Sequence, residues 1–393
     1  MINMTSIIVT MSFVMWSFNA YAQTPTHYSA RVEQSGTVVC SEDPSEGCEL
    51  SAVAWIKNGK DGYLVFGNDK PHKSPRESSI FSIPYTGGVF QERGTKTYYS
   101  FSPFVHASKL ESMSVSPDGS IVAAMTAFDR YRESDSGLDN FNMFITWPIN
   151  QPNTAKVIFS IQRDGVESSR ALRYLLSNAI MQFFGDKATY FKVEGLALLP
   201  KNRILFGVRE IGQSRTAFDY RVVLLEGQYE INNGEFYMDG MKKLEVVRDF
   251  SDVSDIVGRK VGLSSIEYDT LKNQLYVLTT YEDIDEKRMG AYLWVLPDEN
   301  GKLGTAINLV RTSDGAPFEF SHKAEGLAVL DDGRIFIIHD DDRYLSNVRI
   351  GGVNGGQLRV RKYNEAAFDI LQICSNQASH LRRDRDGVAS RFK

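Results

Sequence analysis

Long apolar runs are missing from this 393-residue chain once its first 22 residues are passed. No later stretch approaches the roughly 20 apolar residues that a membrane-spanning helix needs. Runs of Lys or Arg are missing as well, and the formal net charge is −5, which excludes the basic surface that nucleic acid or anionic lipid would require. Cysteine is scarce: Cys40, Cys48 and Cys374 form neither a CxxC pair nor a Cys/His cluster, which argues against a structural zinc site. In an oxidising compartment the close pair Cys40 and Cys48 could bridge, leaving Cys374 over, and three free thiols is the alternative. No Walker-type or dinucleotide glycine motif is present, and Ser51 and Ser264 lack the G-x-S-x-G context of an activated nucleophile.

What is there begins with a leader. The first 22 residues carry no charged side chain, contain an apolar stretch from Ile7 to Phe18, and end in Ala20-Tyr21-Ala22, the small-x-small pattern of signal-peptide cleavage. The expected organisation is a signal peptide over 1–22, one domain over 23–374 and a polar tail over 375–393, in a periplasmic or secreted protein without a membrane span after cleavage. The lack of Lys or Arg from Met1 to Ser6 departs from the usual leader, and a retained apolar anchor is the alternative. Apolar residues make up 42% and charged residues 24% of the chain, enough for a large core and too apolar for a disordered protein.

One unit recurs five times, beginning at Leu50, Leu110, Val193, Leu263 and Ala324. Each copy has an apolar strand, a turn rich in Pro, Asp, Asn or Gly, and a second apolar strand. Pro117-Asp118-Gly119, Pro200-Lys201-Asn202 and Asp332-Gly333 supply turn chemistry that makes these units hairpins. Further strand candidates follow at Asn142–Trp147 and Lys156–Ile161, Tyr220–Glu226 and Leu244–Phe250, Ala291–Leu296 and Ala306–Arg311, and Asn347–Gly351 and Gln357–Tyr363. Four strands per unit predict an all-β fold, a β-propeller of five blades, with a degenerate sixth left open. A two-sheet sandwich is the structural rival, but it does not explain the recurrence. Apolar residues at i, i+3 and i+4 between Val166 and Phe184 predict a helical insertion there, packed on the propeller or serving as a lid or partner-binding helix. The stretch from His27 to Cys40 is expected to pair near Gln357–Tyr363 and close the ring.

Ser51, Glu111, Glu194, Ser264 and Glu325 occupy one equivalent place, the start of the unit's first strand. Circular symmetry would gather them at one end of a central channel, where three carboxylates repel each other unless a cation lies between them. Ca²⁺, a hard oxygen-seeking ion, is the expected cofactor, with Glu111, Glu194, Glu325, Asp340 and Asp341 as candidate ligands. Hairpin geometry should set Glu325 beside Asp340 or Asp341, and Glu194 beside Arg209 or Glu210. His339 is a candidate general base, and Arg209, with Arg343, a candidate clamp for an anionic group. The plainer readings are that the glutamates accept bonds from strand-end amides and that Asp340 to Asp342 form a solvated turn.

The paired segments Val193-Glu194-Gly195-Leu196-Ala197 and Ala324-Glu325-Gly326-Leu327-Ala328 resemble exported bacterial phytase-like propellers, a family also described as esterase-like. They are also similar to the Glu-Gly hairpins of gluconolactonase and paraoxonase-type propellers. That resemblance implies a calcium site to which Glu194 and Glu325 contribute, and an extracytoplasmic hydrolase of phosphate esters or related esters. The sequence departs from the lactonase pattern at Ser51 and Ser264. The other function class is a non-catalytic propeller that binds a small, anionic ligand or an envelope protein.

Overall fold

The computed structural model describes residues 26–70, 78–239, 243–283, 288–342, 344–350 and 356–375. The leader, the tail after Ser375 and Arg343 lie outside the described residues.

Five antiparallel sheets stand around a common axis as the blades of a β-propeller. Blade one runs Leu50–Asn58, Asp61–Asn68 and Ile80–Thr86, edged by Val89–Phe90 and Thr97–Tyr98. Blade two is Leu110–Val115, Ile121–Thr126, Phe144–Pro148 and Lys156–Val157. Blade three is Tyr190–Leu199, Arg203–Ser214, Ala217–Asn232 and Glu245–Asp249, and blade four Gly262–Asp269, Gln274–Asp283, Arg288–Glu299 and Asn308–Arg311. The first strand of each blade touches the first strand of the next, and the fifth, Ala324–Val329, returns to the first at Leu50–Asn58. That closed circuit of inner strands defines the channel.

Closure comes from the two ends of the chain. Blade five runs Ala324–Val329, Ile335–His339, Glu365–Ser375 and Tyr28–Val39, so its outermost strand is the first strand in the sequence. Tyr28–Val39 therefore pairs with Glu365–Ser375, not with Gln357–Tyr363 as the sequence suggests. Asn347–Ile350 and Gln357–Val360 pair only with each other, as a separate hairpin. The physical reason is burial: Phe368, Ile370 and Leu371 are almost fully enclosed, whereas Leu358 and Val360 are exposed. Leaving the blade, the chain is clipped by a disulfide between Cys40 and Cys48, whose Cα atoms lie 5.4 Å apart, and Cys374 is free and exposed.

Five buried apolar clusters fill the five interfaces between neighbouring blades. Trp147 anchors the interface of blades one and two, Trp294 that of three and four, and Phe336 stacked on Phe368 that of five and one. Each such side chain stabilises the fold by roughly 1.5–3 kcal/mol relative to exposure. Nearer the axis the blades crowd, and side chains shrink. A Cβ on Gly195 would stand 3.0 Å from side-chain atoms of Ile266 and Leu263, and one on Gly326 would stand 3.0 Å from the Ser51 carbonyl oxygen.

The helical insertion is present, as α1 (Arg170–Phe184), while Val166–Ser168, expected to open it, pairs as a short strand with Ile161–Arg163. Leu172, Leu176, Ala179 and Ile180 join the core between blades two and three. Arg170 donates to Asp139 at 3.0 Å, and Arg173 donates to the Phe128 carbonyl. This is the packed arrangement rather than a free lid.

Candidate functional site at the channel mouth

Regular pairing of every inner hairpin fails at one equivalent place, and in blade three also between Lys192 and Val193. The register slips between Leu50 and Ala52, Leu110 and Ser112, Val193 and Gly195, Leu263 and Ser265, and Ala324 and Gly326. The residues skipped are Ser51, Glu111, Glu194, Ser264 and Glu325, the five equivalent positions of the repeat. A β-bulge leaves its extra residue out of the ladder and re-aims its side chain. Five bulges in register turn five side chains toward one end of the channel.

Glu111, Glu194 and Glu325 do converge there, all buried. They do not face one another across an open centre, because cations alternate with them. Lys109 Nζ lies 2.9 Å from Asp129 and 3.5 Å from Glu111. Lys192 Nζ lies 3.3 Å from Glu111 and bonds closely to Glu194. Arg209 donates to Glu194 at 3.0 Å and to Thr280 at 2.5 Å, and approaches Glu282 at 3.5 Å. Lys323 Nζ then lies 2.9 Å from both Glu282 and Glu325 and 3.4 Å from Asp342. The result is a chain of alternating charge through blades two to five.

Lys109, Lys192 and Lys323 each stand two residues before their glutamate. This Lys-x-Glu pattern in three repeats is visible in the sequence and goes unread there. Blade one reverses it: the equivalent residue is Glu49, and the blade's neighbouring base is Lys70, bonded to Glu49.

At the junction of blades five and one the acids outnumber the bases. One carboxylate oxygen each from Glu49, Asp340 and Asp342 lies within 4.8 Å of the others, the spacing of a cation's ligands. Of the five ligands expected from sequence, only Asp340 belongs to this set. Glu325 Oε1 is held by Lys323 Nζ at 2.9 Å, whereas the buried Ser51 Oγ has no hydrogen-bond partner among the described residues. Glu111, Glu194 and Glu325 are separated by Lys192, Arg209 and Lys323, so the geometry for a shared ion differs from the expectation. Asp341 faces the other way, accepting from the Lys323 amide at 3.0 Å, bonding His322 Nδ1 at 2.6 Å, and taking the Ser346 hydroxyl.

His339 also departs from its expected place. Its Nε2 is 2.9 Å from Asp369 of the neighbouring strand, its ring packs against Phe320 and His322, and its Nδ1 has no partner among the described residues. It makes no hydrogen bond to the mouth, so the general-base assignment does not fit. The strand ends at His339, which turns to Asp369, and of the residues after it Asp340 and Asp342 lie at the mouth while Asp341 turns to His322 and Ser346. Arg209 is at the mouth, as expected, beside Glu194.

Burial and charge separate the acids. Burial pushes Glu111 up to about 8, with Glu194 and Asp69 adding to Lys192 and Lys109 opposing. Burial also raises Glu194. It opposes ionisation of Glu325, but Lys323, Arg209 and Lys192 together overcome it and bring that carboxyl down to about 2. Asp340 is pushed well above the usual carboxylate range by burial, reinforced by Glu325, Asp342 and Glu49 against Lys323. Asp69 is raised to about 6, again chiefly by burial. The mouth thus holds a firmly ionised carboxylate and a carboxyl that keeps its proton near neutrality, the divergence that acid–base chemistry uses.

No family model matches this sequence, and no curated protein matches it either. Solved structures that are similar include an α-L-arabinofuranosidase from Podospora anserina in complex with cellotriose, 11% identical with a TM-score of 0.45, over 87% of this chain and 96% of that one. A GH62 hydrolase in complex with xylotriose is 9% identical with a TM-score of 0.44, over 87% and 97%. The PQQ-bound aldose sugar dehydrogenase from Streptomyces coelicolor is 14% identical with a TM-score of 0.39, over 89% and 99%. Likeness at this level carries no information about activity.

Proposed function

We propose that the mouth is the active site of an exported, Ca²⁺-dependent hydrolase of phosphate esters or related esters. The observation that carries the reading is the approach of Glu49, Asp340 and Asp342 within 4.8 Å, with the Ser51 hydroxyl, unpartnered among the described residues, at the same junction. These are hard oxygen ligands, the donor set that calcium prefers. When bound there, the ion would supply Lewis-acid polarisation of a substrate oxygen.

The remaining roles belong to the protein. Lys323, shared among Glu282, Glu325 and Asp342, and Arg209, fixed by Glu194 and Thr280, hold positive charge where an anionic ester oxygen would settle. Glu111, protonated near neutral pH, can give a proton to a leaving group. Glu325, held ionised by Lys323 and Arg209, keeps negative charge beside the cation site. Buried walls keep these charges in a low dielectric, where they act strongly.

A second reading is favoured by the completeness of the ion pairs. Every basic residue of the alternating chain already faces carboxylates, which suits a non-catalytic propeller that binds a small polar ligand or an envelope protein. The readings separate in one assay: hydrolysis of p-nitrophenyl phosphate and p-nitrophenyl acetate with calcium, with chelator, and for Asp340→Asn. The enzymatic reading predicts turnover that chelator abolishes and the variant lowers by at least about 100-fold. Absence of turnover, or an Asp340→Asn protein as active as the parent, sinks it.

A further inference from the structure

The other end of the channel, where the inner hairpins turn, opens into a cavity of about 430 Å³. All five inner strands contribute to its wall, from Ala54 and Trp55 in blade one to Ala328 and Val329 in blade five. The volume lies in the ~300–1,000 Å³ range of small-molecule sites.

The repeat exposes one anomaly in this wall. Three residues beyond each bulge the chain carries Ala54, Ser114, Ala197, Glu267 and Ala328. Close packing of inner strands explains four small residues. It does not explain a glutamate. Glu267 takes a long hydrogen bond from Ser114 Oγ, at 3.4 Å, and one from the Tyr268 amide, and no Lys, Arg or His among the described residues forms an ion pair with it. The other charged groups around the cavity are already engaged. Lys57 pairs with Asp331 at 2.9 Å, Asp331 also accepts from Trp55 Nε1 at 3.1 Å, Asp118 is held by Ser116 and Ser120, and Asp269 caps its own turn. The single base of the rim is thus neutralised, and Trp55, its indole held by Asp331, supplies aromatic surface at the rim.

We infer that this cavity binds a small organic ammonium ion with an apolar body, its cationic head on Glu267 and its body against Trp55 and the apolar wall. An ammonium head supplies the counter-charge that the fold does not, and aromatic faces favour cations and apolar groups alike. Burial raises the Glu267 carboxyl well above its usual range, with Ser114 and the Tyr268 amide opposing. Seating a cation therefore displaces the carboxyl proton to solvent. A neutral guest of the same shape displaces none. The site is independent of the calcium-binding mouth, which lies at the opposite end of the inner strands.

The test is titration calorimetry of the full chain with phenethylammonium and with its neutral isostere 2-phenylethanol, each in two buffers of different ionisation enthalpy. The inference predicts that the ammonium binds at least about tenfold more tightly than the alcohol, with release of close to one proton, and that Glu267→Gln weakens it by at least about tenfold. Glu267→Ala restores the residue found in three sister repeats and should melt at or above the parent, so it serves as a second folded variant. Equal binding of alcohol and ammonium, unchanged affinity in either variant, or no binding of the ammonium at about 10 mM overturns it.

Discussion

Replacing Glu111 by Gln should make the protein more stable, and increasingly so as the pH rises. Glu111 is 2% exposed, and its carboxyl is pushed up to about 8 from an ordinary 4.5, burial being the main cause. Between those values the folded protein keeps a proton that the unfolded chain has released. Folding stability therefore declines as pH rises through that window and levels off above it. At about 1.4 kcal/mol per unit, the full interval amounts to on the order of 5 kcal/mol. Glutamine mimics the protonated acid and has nothing to ionise. Its neighbours are not stranded, because Lys192 keeps Glu194 and Lys109 keeps Asp129 at 2.9 Å. Urea unfolding of both proteins from about pH 5 to about pH 8.5 should give curves that meet at the acid end and diverge by several kcal/mol at the alkaline end. Parallel curves would refute the assignment of Glu111 as a buried, proton-holding acid.

Two further outcomes test the frame around the site. Cys40→Ser with Cys48→Ser opens a short loop of separation 8, for which chain entropy predicts a loss of about 2.5 kcal/mol, reproduced in the parent by reductant. Leu176→Ala, in the core between blades two and three, should cost about 2–5 kcal/mol in the same unfolding assay, and a loss below about 1 kcal/mol would mean that α1 does not pack as described.

The five hairpins were legible because their turns and apolar strands are local signals, and the helix because its 3.6-residue period survives in Leu172, Leu176 and Ile180. Closure of the ring by the N-terminal strand was legible but its partner was not, because pairing of Tyr28–Val39 with Glu365–Ser375 joins the two ends of the domain and leaves no local trace. Weak, exposed strands at Asn347–Ile350 and Gln357–Val360 look in sequence like blade strands and differ from them only in burial.

At the site, equivalence of Ser51, Glu111, Glu194, Ser264 and Glu325 was readable, but the bulges that aim them were not. The three lysines two residues earlier were in plain view. Their role depends on which carboxylates the neighbouring blades bring, and that is a matter of three-dimensional order. Glu49 was hidden for the same reason, lying just before the strand on which the repeat was defined. His339 and Asp341 are drawn away from Asp340 by Asp369, His322 and Ser346, partners that no local pattern reveals.

The central claim is that a divalent cation belongs at the mouth, held by Glu49, Asp340 and Asp342. Calcium titrated into chelator-treated protein, followed by heat and by thermal unfolding, measures this directly. The account predicts one saturable site that stabilises the fold by about 2.7 kcal/mol at a hundredfold excess over Kd and disappears in Asp340→Asn. An unfolding curve indifferent to calcium, or a variant that binds it as the parent does, would contradict the account.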